Sequence, residues 1–372
     1  MALPPLRLKK GEDRRIRAGH LWVFSNEVDT QSTPLVGLEP GEPVDVLDSR
    51  GAPLGSGYVN PHSLICARLV HRKPGRPLDG EMLRQRMRRA LELRERLYPG
   101  APWYRLIYGE GDGIPGLVVD RFDSLLVAQI TTAGIERLKG EVVEALAEVV
   151  PGASILLRND TGSRSLEGLD SYVEAARGVI PERAEVVENG VRFEVALGEG
   201  QKTGWFYDHR ESRARLSRYV DGARVLDVFS YVGGWGIQAA VAGAQRVVCI
   251  DSSASALEGV RRNASLNGLD DRVETLQAQG KTVIMCPPPN EHEAALRNAP
   301  SARCLPPLPL GAFARLCQQA QWVICNDSGV SHVAAAIKAQ QLTLCGVTNP
   351  EDTGPWSPRA TGSARCTACR SR

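Results

Sequence analysis

The loop Asp227-Val-Phe-Ser-Tyr-Val-Gly-Gly-Trp-Gly236 carries an apolar run into two adjacent glycines and then into a helical pattern. Gly233 and Gly234 let backbone approach a ligand with no Cβ in the way, and the helix that follows offers its free N–H groups. One strand later, Val-Val-Cys-Ile-Asp251 ends on a carboxylate that can accept both hydroxyls of a ribose. A dinucleotide site would spell Gly-x-Gly-x-x-Gly. This loop instead has an acid at its start (Asp227), an aromatic–polar pair and Gly-Gly, which suit a nucleoside without a pyrophosphate. Upstream, Gly200-Gln-Lys-Thr-Gly-Trp-Phe-Tyr-Asp-His-Arg210 brings amide, cation, hydroxyl, aromatics, acid and guanidinium into one glycine-bracketed loop. It reads either as a plain turn into a helix beginning at Arg210 or as a ligand site. The variety of donors and acceptors favours the site.

The elements that must position these residues follow from periodicity. Strand 225–229, glycine turn, helix, strand 247–251 and helix 254–267 form a βαβ unit, hence a parallel sheet with right-handed crossovers. Ahead of it, residues 1–75 alternate short apolar runs with turn signals, as a small β-rich unit does. Residues 81–97 read as a helix with Leu83, Met87, Ala90, Leu91 and Leu97 on one stripe and arginines elsewhere. Strands at 116–120, 125–130 and 154–158 and a helix near 134–149 come next. The charged stretch Pro181–Glu185 reads as a linker before a hairpin that turns at Glu188-Asn189-Gly190. Beyond Gly280 the spacing predicts strands at 282–286, 322–326 and 342–345, with helices near 291–298, 309–320 and 330–339.

Composition bounds the rest. At 372 residues, with 42% hydrophobic and 24% charged residues, the chain is globular and long enough for two or three domains. The net charge of +2 singles out no partner, but residues 1–100 hold 17 Lys and Arg against 12 Asp and Glu, a bias that suits either a solvated surface or a nucleic-acid face. No apolar run reaches membrane-spanning length, and residues 1–15 lack a signal-peptide core, so a cytoplasmic protein is expected. Of nine cysteines, Cys66 and Cys249 stand alone in the first 280 residues and seven fall in the last 92, a change of usage that suggests two sequence origins. Cys366-Thr-Ala-Cys369 is a single pair, so no zinc or other metal is expected.

Together, Gly200–Arg210, Asp227–Gly236 and Asp251 closely resemble the class I S-adenosylmethionine-dependent methyltransferases that make 5-methylcytosine in large-subunit rRNA. Gly19-His-Leu-Trp-Val-Phe-Ser-Asn-Glu27 resembles that family's N-terminal PUA domain, an RNA-binding β-barrel. Gly109–Asp120, Arg158-Asn-Asp160 and Glu167-Gly-Leu169 resemble its central domain. The likeness runs from about residue 5 to about 278. It implies that Phe229, Ser230, Tyr231, Gly233 and Gly234 wrap the cofactor, that Asp251 holds its ribose, and that Lys202 to Asp208, Phe206 included, close over it. On the basic N-terminal unit, Lys9, Lys10, Arg14, Arg15 and Arg17 are the candidates for RNA phosphates.

The family pattern then stops. Its Asp-Pro-Pro occurs nowhere in the chain, and its later nucleophilic cysteine has no counterpart, so no catalytic residue carries over. Met285-Cys-Pro-Pro-Pro289 offers a thiol and prolines but no acid. Instead, Asn326-Asp-Ser-Gly-Val-Ser-His332 and Gly346-Val-Thr-Asn-Pro350 resemble the sugar-nucleotide-binding domain of family 9 glycosyltransferases. That likeness spans about 280–365, about a quarter of such an enzyme and without its acceptor domain. Ser328 and Gly329 would open a helix whose N-terminus suits a pyrophosphate, with Asp327 before it and His332 in its first turn. Glu291 matches where that family contacts the nucleoside. The expected architecture is α/β: a PUA-like β-barrel (1–75), a central α+β domain (76–180), a partial methyltransferase domain (181–278) and a glycosyltransferase-like fragment (279–372), the last two forming a hybrid Rossmann-like parallel sheet. The expected function is S-adenosylmethionine-dependent rRNA cytosine methylation, inactive for want of the catalytic segment. A non-catalytic RNA- or nucleoside-binding hybrid and a sugar-nucleotide-dependent glycosyltransferase are the alternatives.

Overall fold

The computed structural model describes residues 3–198 and 203–277, and beyond them 284–285, 303–306, 308–319, 323–326, 336 and 341–344. The chain divides into two compact units, residues 1–278 and 279–372.

The first unit opens with β1 (Pro5–Arg7), α1 (Asp13–Arg17), β2 (Trp22–Val23), β3 (Glu42–Leu47), β4 (Pro53–Val59) and β5 (Ala67–His71), which form one sheet in the order β1-β3-β4-β5-β2. Its inward residues, among them Leu6, Leu8, Ile16, Val44, Val46 and Leu69, make a core of their own. Next come α2 (Gly80–Leu97), β6 (Trp103–Tyr108), β7 (Leu117–Phe122), β8 (Leu125–Ile130), α3 (Ala133–Glu136), α4 (Lys139–Val149), β9 (Ser154–Asn159) and β10 (Tyr172–Arg177). Strands β6 to β10 form a second sheet in reverse order, antiparallel except where β8 runs parallel to β9 across α3 and α4. Asp79 caps α2 by accepting from Met82 N–H at 2.8 Å. Leu83, Met87 and Ala90 bury the predicted stripe, while Leu97, beyond the sheet, is exposed. The single helix expected over 134–149 is broken at Arg137–Leu138, where α3 ends and α4 begins.

Glu167 ties the two sheets together. Its carboxylate accepts from Asn60 Nδ2 at 2.8 Å and from the Arg68 guanidinium at 2.9 Å, all three side chains being buried. Nearby, the Tyr58 ring packs against Gly134, where any Cβ would come within 2.2 Å of it.

The hairpin β11 (Arg183–Glu188) and β12 (Val191–Ala196) turns at Asn189 and Gly190, with φ of 54° and 79°. Positive φ at both central positions matches the twist of the flanking strands. The stretch 181–185 read as a linker is in part strand: β11 begins at Arg183, and Ala184 and Val186 alternate into the core. The remaining elements are α5 (Arg210–Val220), β13 (Arg224–Val228), α6 (Gly234–Val241), β14 (Arg246–Asp251), α7 (Ala254–Leu266) and β15 (Val273–Gln277). The three strands are parallel in the order β13-β14-β15. Val247 and Cys249 face α6 and α7. Leu226, Val228 and Leu276 lie exposed on the opposite face.

In the second unit, β16 (Ile284–Met285) pairs in parallel with β17 (Arg303–Cys304), and β18 (Val323–Asn326) with β19 (Gln341–Leu344). Helix α8 (Leu310–Gln319) buries Cys317. Strands 284–285, 323–326 and 341–344 and helix 310–319 fall where the sequence places them, and the strand at 303–304 goes beyond that reading. The helices expected near 291–298 and 330–339 lie outside the described residues, residue 336 excepted.

Candidate cofactor site

The turn between β13 and α6 is built from alternating backbone conformations. Phe229, Tyr231 and Gly233 have φ of 61°, 51° and 83°. Glycine accepts that region freely, but for a bulky aromatic it costs on the order of 1–3 kcal/mol. Two such residues in one turn mark a loop held by its surroundings. The Asp251 carboxylate does much of the holding: Oδ2 accepts from Tyr231 N–H and Oδ1 from Ser253 N–H, each at 2.9 Å. Each oxygen keeps a further lone pair. Ser230 N–H donates to the Ile250 carbonyl at 3.0 Å, and the Asn263 amide donates to the Val232 carbonyl at 3.0 Å.

At the base of the turn, Asp227 Oδ2 accepts from Gly236 N–H at 2.9 Å. Burial pushes the Asp227 carboxyl up to about 6, the nearby Asp251 charge adds to this, and the Gly236 amide pulls the other way. Cys249 lies behind Asp227 with Sγ 4.0 Å from Oδ2, and burial pushes its thiol up to about 12.

The 200–210 loop divides by position. Thr203 is buried and donates to Asp120, which also holds the Arg105 guanidinium at 2.8 Å. Trp205 is buried against Phe193, with ring centroids 4.6 Å apart, and its indole N–H donates to Glu188 at 3.0 Å. Tyr207 is buried too and donates to the Arg121 carbonyl at 2.9 Å. These residues are framework, so much of the variety read as a ligand site serves the turn into α5. Phe206 faces the other way, edge-on to Tyr231 at 5.9 Å, and Asp208 is exposed beside it in sequence. The structure therefore brings Phe206, Tyr231, Phe229 and Asp251 to one side of the sheet's carboxyl end. Lys202 lies outside the described residues, as do Glu291, Asp327, Ser328, Gly329, His332, Cys286, Cys366 and Cys369.

Sequence reasoning missed the hub of this region. Glu188 accepts from Arg213 at 2.6 and 3.0 Å, from Trp205, and from Gln238 at 2.8 Å, and it is wholly buried. An acid directly before the Asn-Gly turn was its one signal. Gly234 sits against this hub, where a Cβ would meet the Trp205 ring at 3.2 Å.

The turn fits an adenosyl group on its own geometry. The Ser230 hydroxyl is buried without a hydrogen-bond partner among the described residues, while the space beside Gly233 and Gly234 is filled by Ile237, Val260 and Trp205. Among the described residues no cluster of His, Cys, Asp or Glu could hold a metal. Of the five basic candidates, Arg15 is paired with Glu27 at 2.6 Å, and Arg17 with Asp13 at 2.6 Å and Asp48 at 2.8 Å. Lys9 is exposed and donates to the Asn26 carbonyl, and Lys10 and Arg14 are exposed. No helix among the described residues is long and apolar enough to cross a membrane.

Comparison with known proteins gives three family matches: a PUA-like domain over residues 6–72, an S-adenosylmethionine-dependent methyltransferase over 164–281, and a family 9 glycosyltransferase (heptosyltransferase) over 272–372. The Ribosomal RNA large subunit methyltransferase I of Vibrio cholerae serotype O1 is 39% identical over 271 residues, covering 72% of this chain and 67% of the relative. That of Shewanella denitrificans is 38% identical over 271 residues, with the same shares covered. Among solved structures, a methyltransferase complexed with SAH superposes with a TM-score of 0.63 at 17% identity, over 87% of this chain and 76% of the other. A SAM-dependent methyltransferase from Streptococcus mutans gives 0.62 at 16%, over 90% and 83%. Those likenesses speak for the α/β fold. The turn, its acid anchors and the sequence identity converge: the chain belongs to the family of the Ribosomal RNA large subunit methyltransferase I, S-adenosylmethionine-dependent enzymes with an N-terminal PUA-like domain, and departs from it where the glycosyltransferase match begins.

Proposed function

We propose that this chain binds S-adenosylmethionine and large-subunit rRNA as a cytosine-C5 methyltransferase of the cytoplasm does, but does not complete methyl transfer. The carrying observation is the turn at 229–233, strained at two aromatics and pinned by Asp251 through Tyr231 N–H. In this reading Asp251 takes the ribose hydroxyls. Phe229, Ser230, Tyr231, Gly233 and Gly234 wrap the nucleoside from one side, and Lys202, Phe206 and Asp208 close from the other. Asp227 holds the helix start rather than the ligand. Bound there, the cofactor supplies an electrophilic methyl group. Residues 1–75 serve as the RNA-binding domain, 76–180 as the central domain and 181–278 as the cofactor domain, with 279–372 a glycosyltransferase-like fragment.

Turnover at C5 needs a thiolate to add at C6 and a base to take the C5 proton. Burial pushes the thiols of Cys66 and Cys249 up to about 12, so both stay protonated at neutral pH. The segment that would bring Asp-Pro-Pro and a further cysteine is replaced. A glycosyltransferase reading has less support, since the match covers only residues 272–372.

The test is tritium transfer from labelled cofactor to unmodified large-subunit rRNA, alongside calorimetry of cofactor binding. Binding without incorporation is expected, and Asp251→Ala should weaken binding at least about tenfold, by the loss of hydrogen bonds worth about 1.5–3 kcal/mol each. Incorporation at C5 would overturn the inactivity, and Cys286→Ser would then show whether Cys286 had taken the nucleophile's place. Equal affinity of parent and Asp251→Ala would remove Asp251 from the site.

A further inference from the structure

Two large aromatic rings stand on the surface where the first sheet meets the second. Trp22, in β2, is 39% exposed, and Tyr108, at the end of β6, is 58% exposed. Neither is a loose side chain. The Trp22 indole N–H donates to Glu110 Oε1 at 2.7 Å, across a gap of 88 residues in sequence. Glu110 sits in the short 3-10 turn that follows Tyr108. Asp112 closes that turn by accepting from Tyr108 N–H at 2.7 Å, and Arg94 grips the same carboxylate at 2.6 and 2.7 Å. The Arg105 guanidinium lies 5.6 Å from the centre of the Tyr108 ring.

The Trp22 ring, held by its hydrogen bond to Glu110, has already lost freedom that binding would otherwise take from it, and Tyr108 stands on a turn whose backbone is fixed by Asp112 and Arg94. Arg105, beside the Tyr108 ring, shares the Asp120 carboxylate with Thr203 of the 203–210 loop. Burial disfavours the Arg105 charge, but the Asp120 carboxylate and, more weakly, Asp208 hold its pKa above the ordinary value. Asp208 belongs to the loop whose Phe206 meets Tyr231. The turn and helix leading into β2 expose Lys10 and Arg14, cations suited to a phosphate backbone.

We infer that Trp22 and Tyr108 form a stacking platform for unpaired RNA bases, with the strand entering past Lys10 and Arg14 and passing Arg105 toward the cofactor turn. This rests on the RNA reading above and adds to it the form of RNA taken. Every base has a π-face, so a platform tolerates sequence but requires unstacked nucleotides; an A-form duplex keeps its bases out of reach.

Fluorescence anisotropy tests this with a short fluorescein-labelled single-stranded RNA of mixed sequence and with the same strand annealed to its complement. The parent should prefer the single strand. Trp22→Ala and Tyr108→Ala should each weaken single-strand binding about fivefold to a hundredfold while leaving duplex binding unchanged. Tyr108→Phe, which keeps the ring, should bind like the parent, and unchanged near-ultraviolet dichroism of each variant shows that the fold persists. Equal single-strand affinity of parent and both alanine variants would overturn the platform while leaving RNA binding itself intact. A parent that binds neither RNA would sink both the RNA reading and the platform. If Trp22→Ala instead abolished a concentration-dependent dimer seen by sedimentation and left RNA affinity alone, the patch would be a self-association surface and the inference would fail.

Discussion

Replacing Asp227 by asparagine isolates one titration. The carboxyl is lifted by burial from its ordinary 3.8 to about 6. A carboxyl so lifted binds its proton about 3 kcal/mol more tightly in the folded chain than in the unfolded one. Because the folded pKa is the higher, this stabilisation is fully present below about pH 4 and is lost as pH rises through 6. Between pH 4.5 and 7.5 the parent should lose about 2 kcal/mol of it. The amide of the Asp227→Asn variant keeps an oxygen to accept the Gly236 N–H and carries no charge, so its contribution should be flat. Urea unfolding of parent and Asp227→Asn at the two pH values, followed by tryptophan fluorescence, gives the difference between them, in which titration of groups not coupled to Asp227 cancels. The variant should gain about 2 kcal/mol on the parent from low to high pH. A difference that stays constant would show that Asp227 is solvated and ordinary, and the buried-acid account of this turn would be wrong.

Glu188→Ala should lower stability by about 3–5 kcal/mol in thermal or urea unfolding, because it strands the buried Arg213 guanidinium. Glu188→Met with Arg213→Met should recover most of that loss. Gly236→Ala places a Cβ 2.6 Å from Cys249 Sγ and should cost about 1–3 kcal/mol, with Cys249→Ala in the same chain relieving it. Leu226→Ser should change stability by less than about 0.5 kcal/mol, since Leu226 is 62% exposed.

The legible parts of this fold are those in which local sequence and tertiary structure agree. Leu83, Met87 and Ala90 repeat at helical spacing and are buried as a stripe, and Asn189-Gly190 makes the turn its residue types demand. The strand, turn and helix around Asp227 to Gly236 were legible because an apolar run, two glycines and a helical pattern follow one another directly in the sequence. What stayed hidden depends on distant pairs. Glu188 meets Gln238 across 50 residues, and Trp22 meets Glu110 across 88, with no spacing rule to announce either. The loop at 203–210 misled for a related reason. Its polar groups were counted as ligand contacts when Thr203, Trp205 and Tyr207 spend theirs on Asp120, Glu188 and the Arg121 carbonyl. Arg15 and Arg17, named as candidates for RNA phosphates, also pair with carboxylates of their own domain, a contact that no sequence spacing announces.

The point where the family likeness ends is also a point of physical incompleteness. A parallel sheet is stable when helices cover both faces, because its strands are apolar on both. Here α6 and α7 cover one face, and Val247 and Cys249 are fully buried beneath them. On the other face Val228 of β13 and Leu276 of β15 are exposed on either side of Ile250, and Leu226 is exposed beside Val248. Each such side chain, about half exposed, forgoes about 1–1.5 kcal/mol that full burial would provide. The cofactor turn does not depend on that face. Asp227, Asp251, Asn263 and the Glu188 hub all anchor it from β13, β14, α7 and the β11–β12 hairpin, elements complete before residue 278. If the turn holds the cofactor as proposed, its anchors all lie within β11–α7, so cofactor binding should be separable from methyl transfer.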